Sequence, residues 1–182
     1  MESQQAQDVV ARWCRAGEQR DAPAAAACLA PDVELISPLT EQFKFRGPEQ
    51  VRALLEAAFA AIEDIQFHTR VGDGDIHAVF YRAHLGAQSL EEAQLLRLDT
   101  AHRIREITLF GRPLPALTGL MAALGPKLAR KQGRPGLAAF LTASTAPLHA
   151  MTRLGEQAHR APHRTPKLIG KRSVRQVTMQ RP

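Results

Sequence analysis

Aromatic side chains are scarce: Phe, Trp and Tyr make up 5% of the 182 residues, with one Trp and one Tyr. A core has to be built from aliphatic residues and alanine instead. There are two cysteines, Cys14 and Cys28, both in helical, alanine-rich contexts. No paired-cysteine metal spacing exists and no disulfide framework is possible, so the expectation is buried free thiols in a reducing cytoplasm. No run of about 18 apolar residues is free of charge or proline, which excludes a spanning helix. No apolar run follows a basic segment at the start, so no signal peptide is expected. Acids are nearly missing from one part of the chain. Residues 107–182 hold 13 Lys and Arg against a single acid, Glu156, a net +12. Residues 1–106 hold 11 against 17, a net −6, which together give the +6 of the whole chain. Such asymmetry bears on partners and location, not on fold.

What is present is a globular composition, 45% hydrophobic, long enough for one domain and an extension. From Gln4 to Arg20, Val9, Val10, Trp13, Cys14 and Ala16 recur at helical spacing. Asp21 is placed to cap a second short helix, with Pro23 in its first turn, ending at Pro31. Asp32 to Ser37 alternates like a strand, and Phe43-Lys44-Phe45 reads as another. Gly47-Pro48-Glu49 opens a helix that buries Val51, Leu54, Leu55, Ala58, Phe59 and Ile62. Ile65–Val71 and Ile76–Leu85 are strands around the turn Gly72-Asp73-Gly74-Asp75. His77 and His84 point to opposite faces of one strand. Tyr81 faces either the interior or the outer sheet.

Glu92 to Gly111 reads as a hairpin whose polar loop is Asp99 to Arg103. Simple pairing places 98 opposite 104, 96 opposite 106 and 94 opposite 108. One face then shows Gln94, Leu96, Leu98, Ile104, Glu106, Thr108 and Phe110, and the other face carries Arg97, Arg103 and Arg105. Glu106 is the one acid expected on the enclosed face. Desolvation there would raise its pKa and make it a general acid or base. The alternative is a Glu106 at the wide end of the fold, bonded to an arginine or water.

The order of elements, together with the run VVARWCRAGEQRDAPAAAACLAPDVELISP, resembles the SnoaL-like branch of the nuclear transport factor 2-like superfamily over roughly residues 4–112. The resemblance implies an α+β cone, a curved antiparallel sheet wrapped by helices with a pocket in its mouth, and a homodimer. The ketosteroid isomerases share this layout, and their N-terminal half matches from Val9 to Pro38 without a gap. Their catalytic positions, carried over, are all replaced. The phenol falls at Trp13, the general base at Ser37 and the second oxyanion donor at Gln94. Steroid isomerisation by that arrangement is therefore not expected. The related cyclases use a sheet carboxylate, for which the nearest candidate is Glu106. The expected pocket is lined by Trp13, Ser37, Gln94, Leu96, Leu98, Thr108 and Phe110, with Glu106 as acid/base and with no metal and no cofactor. A small apolar ligand is the expected partner.

Beyond Gly111, Leu114, Leu117, Leu120, Met121, Leu124 and Leu128 form one helical stripe. A second stripe has Leu137, Phe140, Leu141, Leu148, Met151 and Leu154, broken by Pro147. Three readings of this extension, residues 113–157, stay open: a lid or packing layer on the cone, a subunit interface, or a helix pair lying on an anionic membrane surface. Stripes this apolar are not expected to stand in water. Residues 158–182 read as a flexible basic tail. It is able to touch nucleic acid or lipid through charge alone, without sequence readout, but it has no interleaved aromatics for base stacking, and nucleic acid is not an expected partner. The sequence thus yields three segments, 1–112, 113–157 and 158–182. Two functions remain: an isomerase-, cyclase- or hydrolase-type enzyme on an apolar ligand, or a non-catalytic module that binds a ligand, a partner or a membrane surface. The location expected is cytoplasmic, peripheral at the membrane in the last case.

Overall fold

The computed structural model describes residues 2–38, 44–131, 133 and 135–160. The expected basic tail lies outside the described residues from 161 onward. Helix α1 spans Glu2–Glu18 and α2 Ala22–Ala26. Asp21 caps α2 as expected, its carboxylate accepting the Ala24 N–H at 2.8 Å. Strand β1 follows at Leu29–Ile36 and β2 at Lys44–Arg46, both placed differently from the sequence expectation by a few residues. Helix α3 runs Gly47–Phe59, with Pro48 in its first turn and Gly47 at φ +76°. Strands β3 Glu63–Asp73, β4 Ile76–Leu85, β5 Gln88–Leu98 and β6 Ile104–Arg112 complete a six-stranded sheet. Its order is β2-β1-β6-β5-β4-β3, curved and unclosed. All neighbours are antiparallel except β1 and β6, which run parallel.

The sheet curls around an aliphatic core, as the shortage of aromatics requires. Leu35, Leu96, Ile104, Ile107, Val9, Val33, Val51 and Val79 are among its fully buried side chains. Helix α1 lays Ala6, Val9, Val10, Trp13 and Cys14 against this core, and α3 adds Val51, Leu54 and Leu55. Gly17 lets α1 approach β3 closely: a Cβ there would stand 2.9 Å from the Phe67 ring.

The β5–β6 register differs from simple pairing. Leu98 does face Ile104, but the register then shifts, and Arg97 faces Glu106, Leu96 faces Ile107 and Gln94 faces Leu109. Arg105 is the extra residue of a β-bulge in β6. Every side chain after it changes face. Ile107 is buried completely, while Glu106 turns outward and pairs with Arg97 at 3.2 Å. Glu106 is therefore not the enclosed acid. Thr108 and Phe110 also leave the enclosed face, Phe110 being 56% exposed. The physical reason is selection by burial: the bulge buries the aliphatic Ile107 and leaves the carboxylate in water.

After β6, α4 spans Leu114–Lys131 and α5 Pro135–Arg160. Helix α4 packs on α3, β5 and β6. Gly111 makes room for it, since a Cβ there would lie 2.5 Å from Leu117. Helix α5 returns antiparallel along α4 and runs through Pro147 without the expected break. Pro147 is exposed, so the backbone acceptor it leaves without a helical partner faces water.

The register fixes the order of two mutational effects. Ile107→Ala should destabilise by about 3 kcal/mol, whereas Glu106→Gln, at a partly exposed ion pair, should cost less than about 1 kcal/mol. Urea unfolding of both variants checks this. A larger loss at Glu106 would restore the unbulged pairing.

Candidate functional site

Within the curl of the sheet lies a cavity of ≈ 390 Å³. That is a volume typical of small-molecule sites. Its walls are mostly apolar. Helix α3 supplies Leu54, Leu55, Ala58 and Phe59, and strand β3 Ile65 and Phe67. Helix α4 supplies Leu120, Met121, Leu124 and Leu128. The first stripe of the extension thus forms one wall of the cavity, in the manner of a lid.

The polar groups on the wall are few; besides Ser37 and Lys44, which pairs with Glu34 at 3.0 Å, four of them are connected. Trp13 comes from α1, Tyr81 from β4, and Glu92 and Gln94 from β5. Strand alternation sends Glu92 and Gln94 to the same face, and register places Tyr81 directly opposite Glu92. The Trp13 indole N–H donates to Gln94 Oε1 at 2.8 Å, and Gln94 Nε2 donates to Glu92 Oε1 at 3.0 Å. The Tyr81 hydroxyl also donates to Glu92. Tyr81 in turn is held by Phe67, ring centroids 5.2 Å apart and tilted by 55°.

Glu92 is enclosed, with 4% of its surface exposed. Burial raises its carboxyl pKa from 4.5 to about 7, against the opposing pull of the hydrogen bonds from Gln94 and Tyr81. Burial also pushes the Tyr81 phenol well above its ordinary value, with the nearby Glu92 charge and hydrogen bond acting in the same direction. Tyr81 is thus a neutral donor, and Glu92 is poised to gain or lose a proton near neutral pH. Both thiols are buried and free. Burial pushes Cys14 up to about 12 and raises Cys28, which leaves them inert as nucleophiles. Among the described residues, no group of three His, Cys, Asp or Glu is arranged to hold a metal ion.

The structure brings together three of the expected site residues, Trp13, Ser37 and Gln94, all on the cavity wall. Leu96 and Leu98 are buried in the aliphatic core behind it. Glu106, Thr108 and Phe110 are on the other face. The sequence reading missed Glu92 and left Tyr81 undecided. The signal for Glu92 was available: it stands two residues before Gln94 on the same strand, so alternation alone gives it the enclosed face. Of the histidines, His77 is buried and its Nε2 lies 3.1 Å from the Gly74 carbonyl oxygen, while His84 is solvent-facing.

The sequence of a SnoaL-like domain matches residues 10–107, more than half of the chain. Comparison with curated proteins finds no match. Among solved structures, the chain is similar to a steroid delta-isomerase from Pseudomonas aeruginosa. The identity is 24% over 71% of this chain and 95% of that one, with a TM-score of 0.64. It is similar to an uncharacterized protein with a cystatin-like fold from Silicibacter pomeroyi, at 20% identity over 71% and 93% of the two chains and a TM-score of 0.65. It is also similar to SalBIII, an epoxide hydrolase/cyclase-like enzyme with a role in pyran ring formation in the polyether salinomycin. There the identity is 16% over 60% and 92%, with a TM-score of 0.52. At such identities the likeness concerns the fold. The chain belongs to the SnoaL-like domain family, on the α+β frame shared by nuclear transport factor 2-like and ketosteroid isomerase-like proteins.

Proposed function

We propose that this protein is a small-molecule enzyme that moves a proton on an apolar ligand held in the cone, with Glu92 as general acid/base. The observation that carries this reading is a single enclosed carboxylate on the wall of an apolar cavity, with a pKa of about 7. Both of its protonation states are then populated at neutral pH, the condition for efficient proton transfer. Gln94 and Tyr81 aim hydrogen bonds at the carboxylate and hold its orientation. Orientation of this kind turns a chance encounter into a positioned one. The aliphatic walls select an apolar ligand, and Ser37 offers a polar group at the cavity edge. An isomerisation, a cyclisation or an addition of water driven by proton transfer fits this geometry. The neighbours named as isomerase and as epoxide hydrolase/cyclase-like support that class of chemistry on this frame.

The second reading is a module that binds the ligand without turning it over. It is favoured by the replacement of all three isomerase positions, at Trp13, Ser37 and Gln94. The two readings divide on Glu92→Gln. Trp13, the only tryptophan and on the cavity wall, reports occupancy by its fluorescence. A panel of apolar carbonyl and epoxide compounds is screened by this signal, and bound compounds are assayed for conversion. Glu92→Gln should keep binding within about threefold and lower turnover by at least about a hundredfold. The rate profile of the parent should bend near pH 7. Binding without conversion in both proteins supports the non-catalytic module instead.

The same carboxyl group sets a stability profile. A folded-state pKa above 4.5 means that the folded protein keeps a proton the unfolded chain has lost. This contribution to stability is fully present below about pH 4.5 and is lost as pH rises to about 7, about 3 kcal/mol in all. Glu92→Gln should remove that slope, so its stability advantage over the parent should grow between pH 5 and about pH 8. Denaturant unfolding across this range is the check; parallel profiles would mean Glu92 is not enclosed.

A further inference from the structure

Helix α5 is turned the wrong way round for a helix that only packs on its own domain. Its seam with α4 is polar. Thr145 is buried, and Thr152 and His149 meet Thr118 of α4 at 2.9 and 3.4 Å. His149 Nδ1 also lies 3.1 Å from the Pro115 carbonyl oxygen. Its other side is apolar and in solvent: Phe140 is 66% exposed, Leu148 42%, Met151 70% and Leu154 65%. With 3.6 residues per turn these four fall within about 120° of arc, on one side of the helix, with the exposed Ser144 among them. A stripe of this kind marks a surface that is covered in use.

We propose that α5 docks on an anionic lipid bilayer, with this stripe seated at the boundary between headgroups and acyl chains. Charge decides the occupant. Residues 107–182 carry 13 Lys and Arg against Glu156 alone. Arg153 on α5 and Lys127 and Arg130 near the end of α4 are exposed. By the same helical spacing Arg153 lies on the side of α5 opposite the stripe, so the attraction to anionic headgroups comes from the basic segment as a whole and the burial of apolar area from the stripe. A second copy of this chain carries the same net positive charge and offers this basic part no opposite charge to meet. No helix among the described residues is long and apolar enough to cross a membrane, so the attachment is a surface one.

The test is flotation of the full chain with vesicles of phosphatidylcholine alone and with roughly 30 mol% phosphatidylglycerol. The protein should float with the anionic vesicles and not with the neutral ones, and roughly 0.5 M NaCl should release most of it. The double variant Met151→Gln, Leu154→Gln changes only exposed positions and leaves the net charge as it is; its helical content is checked by circular dichroism. It should bind the anionic vesicles at least about tenfold more weakly. Equal binding by the variant would overturn the proposal, because attraction would then come from charge without seating of the stripe. So would absence of binding by the parent. A parent that is dimeric by light scattering and indifferent to lipid, with a monomeric variant, would assign the face to a second copy.

Discussion

One extra residue in β6 decides what the cone contains. β6 is paired on both sides, antiparallel to β5 and parallel to β1, so its inward side chains are the centre of the sheet. With Arg105 bulged, Ile104, Ile107 and Leu109 point inward. Without it, Glu106 and Thr108 would take those places and Ile107 would face water. Burying an isoleucine stabilises by about 2–3 kcal/mol, while an enclosed and unpaired carboxylate costs several. Outside, Glu106 gains a partner in Arg97. The bulge therefore leaves the floor of the cavity aliphatic and leaves Glu92 as the one carboxyl group among the described lining residues.

That solitude shapes how Glu92 titrates. An indole N–H can only donate, so Trp13 fixes the Gln94 amide with its carbonyl toward α1 and its NH2 toward Glu92. The Gln94 amide, oriented by Trp13, and the phenol of Tyr81 then both donate to one carboxylate. A second acid at position 94 would compete for the same proton, and the pair would titrate together in two separated steps. An amide there lets Glu92 titrate as one group, with burial and hydrogen bonding opposed and burial the stronger. Gln94, where the resemblance puts an acid in the isomerases, thus leaves Glu92 to titrate alone near neutrality.

Much of this frame was legible in the sequence, because local rules fix it. The Asp21 cap, the Gly47-Pro48 helix start and the alternation along β5 all appear in the structure where the residues indicate them. Alternation extended two residues back from Gln94 would have reached Glu92. Tyr81 needed one more step. The two-residue turn at Gly86, φ +57°, pairs Leu85 with Gln88 and so sets 81 against 92. The failure was in β6. A bulge depends on which partner face is buried, and no turn residue announces it in Ile104-Arg105-Glu106-Ile107. The sole trace is the spacing of its aliphatic residues, three from Ile104 to Ile107 and two from Ile107 to Leu109, which no unbroken strand can bury together.

The two helices of the extension show the same limit from another side. Their apolar stripes are alike in sequence, yet α4 lays Leu120, Met121, Leu124 and Leu128 on the cavity and α5 exposes Phe140, Leu148, Met151 and Leu154. Contact geometry separates them. Gly111 and Gly119 bring α4 close: a Cβ on Gly119 would stand 2.9 Å from both His149 and Leu85. Once α4 occupies the cone, α5 finds only the outer side of α4, where Thr118 asks for polar partners. Thr145, His149 and Thr152 meet that demand, and helical geometry then sends the leucines outward. Helix α4 is consequently shared, touching the cavity through Leu120 and Leu124 and α5 through Thr118 and Gly119. Any occupant of the α5 face acts on the cavity through that one helix, and only as far as it binds two placements of α4 with different free energies.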